Sequence, residues 1–194
     1  MRSALDKLIS GAGFLLVVVL LVAGGLLSWA SVFIGDQVHD QLAMQGITMP
    51  AKDALETAAQ HAALDQYAGQ ELTTGPQAKA FADSYILVHM NSASDGRTYE
   101  EVSGEFIALS DEAKAGAEGQ ALGGLRQTLF MGNTLRGLLL YGYAFATMGT
   151  IALYAAIASF IGAAVLLVLS LLGLRHARTS TSVATTTRAV PATV

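Results

Sequence analysis

The chain contains no cysteine. Disulfides, thiolate metal centres, thiol nucleophiles and a lipid-modified cysteine are excluded together. Any domain outside the reducing interior must then hold by packing alone. No G-x-S-x-G element occurs, so a nucleophile elbow is excluded. No G-x-G-x-x-G follows an extended segment, so a Gly-rich phosphate loop is excluded as well. Lysine occurs only four times, while alanine and glycine abound, a bias of high-GC bacterial genomes. The most telling absence is charge. Leu8–Gly35 carries no Asp, Glu, Lys or Arg over 28 residues, and Gly137–Leu174 carries none over 38.

A bilayer core of about 30 Å needs roughly 20 apolar helical residues. Both uncharged stretches exceed that length. Sixteen of the 28 residues in Leu8–Gly35 are Leu, Ile, Val or Phe, each favouring insertion by roughly 0.3–0.6 kcal/mol at a helix centre. Lipid offers no partner to a bare backbone, so each stretch is expected to be helical. Ser28-Trp29-Ala30 resembles the small-x-small site of a cleaved signal peptide. The apolar run outlasts a signal's h-region and continues through Val32, Phe33 and Ile34, so a retained anchor is expected.

What charge there is falls unevenly. The segment Asp36–Arg136 holds six basic and fourteen acidic residues. Arg2, Lys7, Arg175 and Arg178 crowd the outer ends of the two apolar stretches. The positive-inside rule then puts both termini in the cytoplasm and the acidic middle outside. Arg126 and Arg136 count against that orientation, but a long middle segment translocates largely regardless of its charge. So acidic a middle excludes nucleic acid as a partner, which requires basic patches.

The expected architecture is all-α: two transmembrane helices with a small external helical bundle between them. Residues 1–7 form a cytoplasmic N-terminus, 8–35 the first span, 36–136 the external domain, 137–174 the second span with an outward extension, and 175–194 a disordered cytoplasmic tail. The first helix should run on to a stop at Gly46, with Ile47-Thr48-Met49 as an extended link. Pro50 suits the first turn of a second helix, Pro50–Ala68. A third helix covers Pro76–Met90, followed by a turn cluster at Asn91–Gly96. Thr98 stands three residues before Glu101, the pattern of a capping box, and opens a fourth helix, Tyr99–Ala115. Gly116–Gly124, with four glycines, reads as a flexible loop. A last helix begins at Leu125, with Tyr141 and Tyr143 at the outer membrane interface. Helical spacing marks Tyr85, Val88, Tyr99, Val102 and Phe106 as the external core.

Candidate chemistry is sparse. His61 and Asp65, at i and i+4, share a helix face, but a metal site needs further ligands, which His39 with Asp36 or Asp40 would supply only by folding back. Glu100, Glu101 and Glu105 are paired carboxylates of the kind used in acid–base catalysis, though capping and solvation account for them. His176, beside Arg175, is expected among lipid headgroups. Neither span has a charge at its centre, which argues against an ion pathway or proton relay. The stronger pattern is small residues at intervals of four: Gly142, Ala146 and Thr150, with Ala152/Ala156, Ala155/Ser159/Ala163 and Gly24/Ser28 in support. Such faces let helix backbones approach closely. Gly142, Ala146 and Thr150 are the expected helix-packing face.

Several short elements carry a resemblance: Gln41-Leu42, Ile47-Thr48-Met49, Thr74-Gly75-Pro76, Ala82-Asp83 with Ile86 and His89, Asp95-Gly96-Arg97-Thr98-Tyr99-Glu100-Glu101, and Arg126 leading to Leu135-Arg136-Gly137. Over roughly residues 37–150 the chain resembles small actinobacterial two-span membrane proteins, many of which bear an "aromatic ring-opening dioxygenase" label. The resemblance implies a fold and a membrane setting. It does not carry the labelled chemistry, because extradiol dioxygenases hold iron with two His and a carboxylate, and the helical pair here offers one His. The expected function is therefore that of a non-catalytic, cofactor-free accessory or assembly subunit. It would sit in the bacterial plasma membrane and present its external bundle to a membrane-protein partner or a second copy. A small external sensor coupled through the second span, and a membrane-bound metalloenzyme, are the alternatives.

Overall fold

The computed structural model describes residues 2–187, with side chains over 5–178. Every regular element among the described residues is helical. α1 is Arg2–Ala43; a 3-10 turn, Lys52–Ala54, precedes α2, Ala58–Leu64, which tightens into a second 3-10 turn, Asp65–Tyr67. α3, Gly75–Phe81, passes through a widened π turn, Ala82–Ile86, into α4, Leu87–Ser94. Then follow α5, Tyr99–Ala108, the short α6, Asp111–Ala115, and α7, Ala117–Thr187. These elements divide into two compact units. One comprises Ile34–Met148; the other pairs the first part of α1, up to Phe33, with α7 from Gly149 onward.

Several boundaries depart from expectation, each for a local reason. The second helix starts at Ala58 rather than Pro50. The backbone N–H of Met49 donates to Gln70 O (2.8 Å) and its carbonyl accepts from Gly69 N (3.2 Å), so the chain entering Pro50 is held extended. The helix begins where acceptors for its free N–H groups exist: Thr57 Oγ1 accepts from Gln60 N, and Gln60 Oε1 accepts from the N–H groups of Glu56 and Thr57. The third helix runs past Met90 to Ser94 and ends on the left-handed residues Asp95 and Gly96. The fourth breaks at Leu109, and Ser110 caps α6 afresh.

Gly116–Gly124 is not a loop, since α7 begins at Ala117. Its glycines serve close approach instead. A Cβ on Gly119 would fall 2.7 Å from Lys114 Cα, and one on Gly123 would fall 3.0 Å from the Phe106 ring. At its far end α7 runs on as helix to Thr187, so the tail expected to be disordered from residue 175 is helical to that point. The expectation for residues 188–194 lies outside the described residues.

The core of the bundle unit gathers Val38 and Leu42 of α1, Met49, Leu55, Leu64, Leu72, Ala78, Phe81, Ala82 and Leu139. A smaller cluster joins Met90, Val102 and Leu129. Of the five side chains expected to form the core, Val102 is fully buried; Tyr85, Val88, Tyr99 and Phe106 are half-buried. α5 is too short to supply a core by itself, and α7 and the Met49–Leu72 segment do so instead. Unlike the expected boundary at Arg136, the unit extends along α7 to Met148.

In the other unit α1 and α7 pack antiparallel, with Gly24 against Phe160, Leu20 against Gly162 and Ser10 against Gly173. Ser10, Val17 and Gly24 on α1, and Gly149, Ala156, Ala163, Ser170 and Ala177 on α7, are buried at intervals of seven. The seam therefore has the heptad period of a left-handed helix pair, where the sequence pattern emphasised intervals of four. Small residues line it because the backbones are close: a Cβ on Gly24 would lie 2.9 Å from the Phe160 ring.

Two outcomes follow from this packing. Leu139→Ala removes a fully buried side chain and should cost about 2–5 kcal/mol, seen as sharply raised protease sensitivity of the bundle unit, while Phe106→Ala should be milder. Ala156→Leu, at the seam, should overpack it by about 1–3 kcal/mol and suppress disulfide formation between cysteines placed at Leu20 and Gly162. Leu167→Ala, on the exposed side, should leave that cross-link intact.

Candidate functional site

A group of polar side chains lies where α3 meets α7. Thr74 caps α3, its Oγ1 accepting from Gln77 N while Gln77 Oε1 accepts from the N–H groups of Thr73 and Thr74. Pro76 occupies the first turn, where its missing N–H costs nothing. Gly75 is buried against Ala146 and lies close to Tyr143 Cα, leaving no room for a side chain. This contact sets α3 against α7 and brings Lys79 over the Tyr143 ring at 5.5 Å.

One turn further, Lys79 Nζ donates to Asp83 Oδ2 at 2.5 Å, and Arg136 Nη2 donates to Asp83 Oδ1 at 2.8 Å. Asp83 and Arg136 are 53 residues apart in sequence and each is 29% exposed, so their pair is screened far less than a surface pair. The hydrogen bonds from Lys79 and then Arg136 hold the Asp83 carboxyl below its ordinary range, against the opposing effect of burial. The same bond to Asp83 raises Lys79. A carboxylate with both oxygens occupied and a lowered pKa is a weak base. The cluster is built to hold α3 on α7.

A second polar cluster lies between α5 and α7. Arg126 Nε donates to Ser103 Oγ at 2.9 Å, and its guanidinium lies 5.4 Å from the centre of the Phe106 ring. Lys114 Nζ also lies against that ring, at 5.8 Å. Hydrogen bonds with Ser103 and Arg126 lower the Tyr99 phenol. Arg97 Nη1 donates to Glu105 Oε2 at 2.9 Å, and both line an open groove of about 680 Å³ together with Leu109, Gly119 and Leu122.

The residues singled out from sequence are placed as follows. Gly142 packs against Leu42 of α1, Ala146 against Gly75 of α3, and Thr150 lies in the paired-helix unit with its side chain exposed. The three thus meet different surroundings. Tyr143, expected at an interface with lipid, lies under Lys79. His61 Nδ1 and Asp65 Oδ1 are 2.9 Å apart on a half-exposed face, and His39 Nδ1 stands 3.4 Å from its neighbour Asp40. Among the described residues no group of three or more His, Asp or Glu is placed to hold a metal ion. Glu101 caps α5 through Thr98, whose backbone N–H lowers its carboxyl, and Glu105 pairs with Arg97. Glu100 is exposed.

Gln60 and Gln77 were not singled out from the sequence, and Asp83 and Arg136 stood there only as parts of the resemblance and of the charge count, not as a pair. One signal was present. Leu55-Glu56-Thr57-Ala58-Ala59-Gln60 and Leu72-Thr73-Thr74-Gly75-Pro76-Gln77 repeat L-x-T-x-x-Q, each followed four residues later by a core side chain, Leu64 or Phe81. Both glutamines are almost wholly buried and perform the same capping. No protein-family model, curated protein or solved structure matches this chain.

The ion-pair cluster makes stability depend on pH. Because the folded-state pKa of Asp83 is lowered, its contribution is complete above the unfolded-state value and vanishes as pH falls through the folded one. Because that of Lys79 is raised, its contribution is complete below the unfolded-state value and vanishes as pH rises through the folded one. Thermal stability of the bundle should therefore fall below about pH 4 and again above about pH 10.5. Asp83→Asn should flatten the acid limb and destabilise at neutral pH, since it leaves the partly buried Arg136 without its counter-charge; melting curves across pH check both effects.

Proposed function

We propose that this chain is a two-span integral membrane protein of the bacterial plasma membrane, with both termini cytoplasmic and the bundle unit outside. It acts as a non-catalytic accessory or assembly subunit that presents this bundle to a partner. The observation that carries the reading is the inverted exposure of the paired helices. Small residues face the seam, while Leu8, Leu15, Val22, Leu26, Ile161 and Leu172, among many others, point outward and are about half exposed or more. Only 17% of the most apolar 18-residue window of either helix is buried, whereas a core helix of a water-soluble protein is mostly buried. Leaving so much apolar surface in water would cost on the order of tens of kcal/mol.

The levels of the helix ends agree with this reading. Trp29 on α1 and Tyr154 on α7 are both strongly exposed, near the Gly24–Phe160 contact. Each stands about one hydrocarbon thickness, roughly 30 Å along its helix, from the basic residues Lys7 and Arg175. Amphipathic aromatics at one edge and cations at the other are the usual marks of a span. The seam between α1 and α7 supports a retained first helix, because Ser10, Val17 and Gly24 fit a complementary surface. A binding role is supported by how the polar groups of the bundle are used. Its carboxylates at Asp83 and Glu101 and the side-chain amide oxygens of Gln60 and Gln77 are committed to caps and ion pairs.

Single cysteines can be introduced freely into a chain that has none. In intact cells a cysteine at Ser92 should react with a membrane-impermeant maleimide and one at Ser182 should not; the reverse pattern would invert the topology. Co-purification in mild detergent, with the bundle intact or disrupted by Leu139→Ala, checks partner binding: a partner held by the bundle should be lost from the variant.

A further inference from the structure

Within the bundle unit α7 has two sharply different sides. Leu129, Gly132, Leu135, Arg136, Leu139, Gly142, Tyr143 and Ala146 are buried or half-buried against the unit's other elements. On the other side Met131, Thr134, Leu138, Tyr141, Phe145 and Met148 are all exposed. They fall at alternating intervals of three and four, the a and d positions of a heptad. Five of the six are large and apolar, and each of those five is between 52% and 67% exposed. A solvated helix face is ordinarily charged, and a helix apolar all round is ordinarily covered all round. Here the only charge between residues 127 and 148 is Arg136, which turns away to Asp83.

We infer that this face docks on the same face of a second copy, forming a parallel homodimer along α7. The inference rests on the proposed membrane orientation, which inserts every copy the same way up. A two-fold axis along the membrane normal then sets α7 parallel to its counterpart, with each a or d residue opposite itself. Self-pairing suits this surface because it carries no charge to repel its copy and none to be matched by a charged partner. The five large side chains, each more than half exposed, offer on the order of 400–500 Å² per copy, given about 150–250 Å² for an aromatic side chain and somewhat less for Met or Leu. That is half or more of the ~800 Å² per partner of a standard interface. The stripe lies on the bundle side of Tyr154, where water rather than lipid is the competing solvent in the proposed orientation.

The test uses the full chain in native membranes. Single cysteines at Leu138, Tyr141 and Phe145 should yield disulfide-linked dimers on mild oxidation. Cysteines at Asn133 and Thr147, exposed but off the stripe, should yield little. Adding Leu138→Glu to the Phe145→Cys chain should reduce the dimer at least about tenfold, the effect of some 1.4 kcal/mol, and expose the cysteine to an impermeant maleimide. Equal cross-linking at all five positions, or none at the stripe, would overturn the dimer. So would a Phe145→Cys thiol that remains unreactive to the impermeant reagent in the Leu138→Glu chain, since lipid would then cover the stripe. Labelling at Ser92 separates these failures from an error in topology: if Ser92→Cys reacts from outside while the stripe fails, the orientation stands and the dimer does not.

Discussion

A helix satisfies its own backbone but not its own surface, and α7 is apolar on nearly every side from Gly137 to Leu174. Every part of that surface needs a cover, and the fold can be understood as the set of covers provided. In the paired-helix unit α1 covers one side with a complementary row of small residues. In the bundle unit Leu42, Gly75, Lys79 and Asp83 reach the inward side of α7. The two covers work differently. Small residues at the seam gain dispersion by close approach, which suits surroundings with no hydrophobic driving force between helices. The bundle instead buries Leu, Met and Phe, the water-excluding packing that suits a solvated setting.

The bundle reconciles short helices with burial by supplying acceptors to its helix starts from within the chain. Thr57 with Gln60, Thr74 with Gln77 and Thr98 with Glu101 form three reciprocal capping boxes. At the two inner ones the third residue is Gln and almost wholly buried; at the exposed one it is Glu. The choice follows from desolvation, because a neutral amide can accept two backbone N–H bonds in the core without the penalty of burying a charge, at the smaller cost, in Gln60, of an Nε2 buried without a partner. Gln77 also passes a hydrogen bond on to Gln70, so the cap of α3 is tied to the extended segment that pairs with residues 47–49.

Much of this was legible in the sequence where the physics is local. The capping box at Thr98 set the start of α5 correctly, and the two uncharged stretches mark the long helices. Legibility failed where a tertiary contact decides a local outcome. Pro50 signals a helix start, but pairing of Met49 with Gln70 holds the chain extended. The glycines of Gly116–Gly124 signal flexibility, yet Gly119 and Gly123 allow α7 to press against Lys114 and Phe106. Spacings of three, four and seven overlap in so Ala/Gly-rich a chain, so the heptad seam through Ala156 and Ala163 could not be separated from the four-residue series without the partner helix. The pair Asp83–Arg136, spanning 53 residues, had no local signature at all.

That pair also bears on the orientation in the membrane. Arg126 and Arg136 are the two cations within α7 on the side assigned to the exterior, and they weigh against the assignment when charges are merely counted. Each has a structural use that the count ignores. Arg126 is bonded to Ser103 and stacked over Phe106, and Arg136 is neutralised by Asp83. The cations at the other ends of the two long helices, Lys7 and Arg178, are exposed, as the proposed orientation toward an anionic leaflet requires. A charge already paired inside a folded unit contributes little net field to a membrane surface, whereas an exposed one contributes fully. Weighted in this way, the balance of exposed positive charge shifts toward Lys7 and Arg178, in keeping with the proposed orientation, and Arg126 and Arg136 become part of what folds the bundle.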